Sequence, residues 1–131
     1  MDRISTGAAR SQRGQSTVEL ALCLPILAAV LAAVVEICLL AGDQVRLWHA
    51  AREAARVGVV DSSEGAARAA ADRSGLQRLE LSLTPAPAFR VQGRPLTVSL
   101  AYQPQGRVPL IGELVSLLEL HARATMRIEE P

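Results

Sequence analysis

The sequence contains no lysine, so all fourteen of its basic residues are arginine. It has only three aromatic residues, Trp48, Phe89 and Tyr102. Alanine, valine and leucine supply most of its apolar half. There is no charge of one sign to speak of: the formal net charge is +1, with the arginines scattered among nearly as many acids. No basic stripe forms, which argues against a nucleic-acid partner. Cysteine is scarce. Cys23 and Cys38 both lie in the apolar segment, and on one helix they would stand roughly 22 Å apart. That separation excludes a bond within the chain, so they read as small buried hydrophobes or as residues able to pair between subunits. Catalytic patterns are absent as well. There is no glycine-rich phosphate loop, no CxxC and no HExxH spacing. His49 and His121 stand far apart in the sequence and read as surface residues of a helix and a strand. No metal, cofactor or small-molecule substrate is expected, and the reading is non-enzymatic.

What the chain does have is one long apolar run. Leu20 to Val35 spans sixteen residues without a charge, and after Glu36 the run resumes through Ala41. A span over about residues 18–41 is long enough for roughly 30 Å of hydrocarbon. A cleaved signal peptide would have a shorter core and a small-x-small site at its end, and Leu39-Leu40-Ala41-Gly42 is a poor one. Helix-forming residues continue past the apolar run, from Gln44 to Val57. The spacing predicts one continuous helix over 15–60, extending well beyond the bilayer. Gly42 and Asp43 weaken it locally. Arg52 and Arg56 share its wet side at i, i+4.

Asp61 or Ser62 then predicts a helix cap, followed by an alanine-rich helix from Gly65 to Arg73 that ends near Gly75. Three period-two patterns follow. Leu79, Leu81 and Leu83 alternate with polar residues. So do Leu96, Val98, Leu100 and Tyr102, and again Leu120, Ala122, Ala124, Met126 and Ile128. Pro85, Pro87, Gly93-Arg94-Pro95 and Pro104-Gln105-Gly106 punctuate them. Val108 to Leu118 predicts a short helix between the second and third strands. The fold class is therefore α+β: a long N-terminal membrane helix, a second short helix and a small three-stranded antiparallel sheet. The division is a leader over 1–14, the long helix over 15–60 and an extracytoplasmic domain over 61–131.

Two acids interrupt the apolar pattern. Glu19 opens the run, where the helix dipole favours an acid. Glu36 lies about 25 Å further along, near the other interface. It reads either as a carboxylate reaching for headgroups or as a contact with a neighbouring helix.

Gly14, with an acid five residues later and an apolar helix beginning at once, resembles the class III signal of type IV pilins. Carried over, the resemblance implies a prepilin peptidase that cuts the Gly14–Gln15 bond. The new N-terminus would be Gln15 and the required acid Glu19. Arg13 to Leu22, then Pro25, Val35-Glu36, Ala50 to Arg56 and the closing Ala122 to Glu129 resemble the TadE family of pseudopilins of the tight-adherence (Flp) pilus. Leu20, where major Flp pilins have tyrosine, and the long region after the helix favour a minor component. The resemblance implies a role in assembling a pilus or related secretion filament. The implied partners are prepilin peptidase, other pilin-like subunits and the membrane platform. It also implies a single-pass protein of the cytoplasmic membrane with a cytoplasmic N-terminus, because the arginines on both sides of the helix leave topology undecided by charge. The competing class is an uncleaved, signal-anchored module that presents its sheet to an extracellular ligand.

Overall fold

The structure, a computed structural model, describes residues 8–109 and 111–129, with the backbone alone for 8–13. Residues 1–7 of the expected leader lie outside the described residues. Helix α1 runs from Ala8 to Gly58 over 51 residues. It therefore starts seven residues before the expected 15 and ends two before the expected 60. Nothing in Ala8–Gly14 stops it, since the first proline is Pro25, which sits inside the helix and gives up one backbone hydrogen bond there.

Two regimes follow one another along α1. From Val18 to Val35 the large apolar side chains are all about half exposed or more. Val18, Leu20, Leu22, Leu24, Ile26 and Leu27 point in every direction around a helix that turns 100° per residue. This stretch makes α1 the one helix among the described residues long and apolar enough to cross a membrane. Beyond it, one face is buried: Glu36, Asp43, Leu47, Ala50, Ala51, Ala54, Ala55 and Val59. Those positions follow the three-four spacing of a helix laid against a core.

Helix α2 (Glu64–Asp72) buries Ala67, Ala70 and Ala71 against it. Its cap is Ser63, whose hydroxyl accepts from the Ala66 amide at 3.4 Å, one residue later than the expected Asp61 or Ser62. Asp61 instead accepts from the Ser63 amide at 2.8 Å and shapes the turn before the helix. Gly75, with φ +77°, ends the unit as its sequence position predicts.

Strands β1 (Leu79–Thr84), β2 (Pro95–Tyr102) and β3 (Leu120–Arg127) form an antiparallel meander in the order β1-β2-β3. Leu81 faces Leu100, and Leu100 faces Ala122. The predicted alternation is thus realised as one inner face: Leu79, Leu96, Val98, Leu100, Tyr102, Ala122 and Ala124 are buried. They pack on Leu47, Ala51, Ala54 and Ala55 of α1 and on Ala67 and Ala71 of α2. A smaller cluster of Val59, Leu96 and Ile128 closes the far end. The outer face is polar, and there Thr97 and Thr125 share a hydrogen bond at 2.9 Å.

The region expected as a helix over 108–118 holds only four helical residues, α3 (Gly112–Val115). Gly106 and Gly112 come into backbone contact, and a Cβ on Gly112 would lie 2.8 Å from Gly106 Cα. That pinch, together with Pro109, keeps the segment a compact loop instead of a helix.

Candidate functional site

Two places along α1 hold the residues singled out from the sequence. The first is the segment 14–19. Gly14 is exposed, and a Cβ built on it would meet nothing within 4 Å. The fold gives no reason for a glycine here, although glycine inside a helix costs about 1 kcal/mol relative to alanine. Gln15 donates from Nε2 to Glu19 Oε1 at 3.2 Å across one helical turn. Gly14, Gln15 and Glu19 are thus one exposed helical patch at the start of the apolar stretch. Cys23 and Cys38 are exposed along the same helix, not buried as their small apolar character suggested.

The second place is Glu36. The sequence suggested headgroups or a neighbouring helix as its partner. The structure instead engages it within its own chain: it is 2% exposed. Its Oε1 accepts from the Arg107 amide at 3.2 Å and its Oε2 from the Val108 amide at 3.0 Å. A carboxylate that takes two backbone N–H groups at once satisfies its buried charge with strong, charge-assisted bonds.

Asp43 continues the arrangement seven residues on, on the same face, and is 3% exposed. The Arg107 guanidinium reaches back to it, with Nη2 at 3.2 Å from Oδ1 and 3.1 Å from Oδ2. Arg46 adds a longer contact to Oδ1 at 3.7 Å. Glu36 and Asp43 therefore grip one residue, Arg107, by its backbone and its side chain. Together they pin the loop that follows β2 to α1.

Asp43 and Arg107 were not legible as a pair. Asp43 read as a weak spot in the helix, and nothing in the sequence singled out Arg107. The available signal was the seven-residue spacing of Glu36 and Asp43, in line with Leu47 and Ala50 on the buried face. Arg90 is buried as well and donates from Nη1 to the Ser62 carbonyl at 2.8 Å, whereas the other charged contacts lie at the surface. Glu53 is held below the usual carboxylate range, chiefly by its hydrogen bonds from Arg56 at 2.8 and 3.0 Å. Arg52 lies over the Trp48 ring, 5.9 Å from its centre. His49 and His121 are both exposed. No group of three or more histidine, cysteine, aspartate or glutamate residues among the described residues could hold a metal ion.

Against known proteins, residues 14–56 match the family model described as TadE-like protein. The match begins at Gly14 and takes in Glu19, Glu36 and Asp43. No curated protein and no solved structure matches the chain.

Proposed function

We propose that this TadE-like chain is a pilin-like, non-enzymatic component of a Tad (Flp) pilus or a related secretion filament, held in the cytoplasmic membrane by α1. In this reading the bond Gly14–Gln15 is cut by prepilin peptidase on the cytoplasmic side. The residues after the span then form a small extracytoplasmic domain. The observation that carries it is the glycine at position 14. It stands in open space on an exposed helix, so packing within the chain does not call for it, whereas a peptidase subsite that admits only hydrogen would. The match of residues 14–56 to the TadE-like family model supports the pilus setting. The apolar helix, bare on every side, supports the anchor. Glu19 has the position of an acid that could neutralise the amine freed on a neighbouring subunit during stacking. The partners in this reading are the peptidase, other pilin-like subunits and the membrane assembly platform.

Co-expression with an active prepilin peptidase, followed by N-terminal sequencing, tests this reading. The expected mature chain starts at Gln15, and Gly14→Leu abolishes the cut. A chain that keeps its first fourteen residues beside a peptidase that processes a control pilin would sink the processed-pilin reading and leave the signal-anchored module.

A further inference from the structure

Among the described residues, the loop between β2 and β3 leaves three leucines in the open. Leu114 is 67% exposed, Leu117 80% and Leu118 49%. Two contacts fix their level along α1. Where the loop leaves β2, its amides at 107 and 108 bind Glu36. Where it enters β3, Gln44 Nε2 donates to the His121 carbonyl at 3.0 Å. At its other end β3 is tied to Val59, whose carbonyl accepts from the Glu129 amide at 3.1 Å. β3 therefore runs along α1 in the same direction, away from the apolar stretch.

Gln103, just past the end of β2, donates from Nε2 to the Ser116 carbonyl at 2.9 Å, which holds Leu117 beside the end of the sheet from which the loop runs to Glu36. Gln44 lies about 12 Å beyond Glu36 on the helix. The loop that carries the leucines is thus tied to α1 within this stretch, where Ile37 and Cys38 are themselves exposed. Glu36 is the first charge after the sixteen uncharged residues of the span. The leucines accordingly sit at the end of the domain nearest the apolar stretch, with Leu117 and Leu118 beside Arg78, Glu80 and Ala101 on the outer side of the sheet.

We propose that Leu114, Leu117 and Leu118 form a second, shallow contact with the bilayer, at the boundary between headgroups and acyl chains of the leaflet from which α1 emerges. The occupant is lipid. The leucines are exposed at the end of the domain nearest the apolar stretch, and the two carboxylates of α1 hold the loop at that depth. Glu113 and Glu119 are exposed on either side of the leucines. They keep the contact shallow, because a carboxylate remains among the hydrated headgroups. The proposal rests on the reading that α1 spans a membrane.

The test uses the full chain reconstituted in phosphatidylcholine vesicles whose acyl chains carry bromine, either near the headgroup or near the chain end. Trp48→Phe removes the only native tryptophan. Single tryptophans are then placed by Leu27→Trp, Leu117→Trp or Phe89→Trp. Leu27→Trp should lose emission to the deep bromine, Leu117→Trp to the shallow one, and Phe89→Trp, beyond the far end of β1, to neither. Quenching at Leu27 with Leu117→Trp behaving like Phe89→Trp overturns the leucine contact and leaves the span standing. No quenching at Leu27 brings down both. Unquenched but blue-shifted emission from Leu117→Trp that follows the protein-to-lipid ratio means that a second copy covers the leucines, which also overturns it. Leu114→Trp repeats the measurement should the Leu117 variant fail to fold.

Discussion

At the scale of single residues, Glu36 carries the most structural consequence. Replacing it with alanine would leave two loop amides without their acceptor, at a cost on the order of 1–3 kcal/mol. Thermal unfolding in detergent should show that loss, and limited proteolysis should open the 105–111 segment. Glu36→Gln keeps one acceptor oxygen but turns an amide donor toward a backbone N–H, so its effect should fall between wild type and alanine. Asp43→Asn should cost less, under about 1 kcal/mol, because its partner Arg107 is 43% exposed and water screens the pair. Glycines separate in the same way. Gly106→Ala would drive a Cβ into the backbone of Gly112, which cannot yield as a flexible side chain would. It should reproduce the proteolytic opening of Glu36→Ala. Gly65→Ala, with open space around it in α2, should be neutral or raise the melting temperature through helix propensity. These sites differ in how far the sequence revealed them. Gly14 and Glu19 were singled out by local spacing alone, and their role is the proposal that the cleavage experiment tests. Glu36 was legible as an anomaly, but its partner was not. An acid near the end of an apolar run cannot report that a loop seventy residues later folds back onto it.

At the scale of elements, the sheet was largely readable and the loops were not. The two-residue alternation in β1, β2 and β3 is imposed by a single buried face, so side-chain type alone locates it. The four-residue α3 was not readable, since tertiary contacts at Gly106 and Glu36 outweigh the apolar composition of 108–118. The start of α1 at Ala8 was missed for the opposite reason: polar residues without proline carry no stop signal. The core itself is thin in large side chains. Leu47 is one of few bulky residues on an alanine-rich helix face, and it is fully buried among the sheet leucines. Leu47→Ala should therefore cost about 2–5 kcal/mol, measured by denaturant unfolding of the detergent-solubilised protein. The turn before α2 adds a pH term. The Asp61 carboxyl is held below the usual range, first by the Ser63 backbone amide, then by the Ser63 side chain. A depressed native pKa stabilises the fold above the unfolded value, and that contribution is lost as pH falls through the native one. Asp61→Asn should flatten the acid limb of a melting-temperature profile and leave the neutral region nearly unchanged.

At the scale of the whole molecule, one helix carries two kinds of surface. Its first part has no polar face, and its second part supplies half of a water-exposed domain's core. The change begins at Glu36, where the two-carboxylate grip takes up one face while Ile37 and Cys38 stay bare on the other sides. Helix and domain are joined by more than a covalent hinge. Hydrogen bonds at Glu36, Asp43 and Gln44, the alanine face and the Val59–Glu129 bond all lie on one side of α1, over more than twenty residues. The domain therefore has no freedom to swivel about the helix axis. The direction in which the sheet faces is set by which side of α1 faces which way in the membrane. If helices pack against one another within the bilayer, their azimuth is passed outward unchanged. A change in rotational setting below the surface becomes an equal change in the compass bearing of the sheet above it.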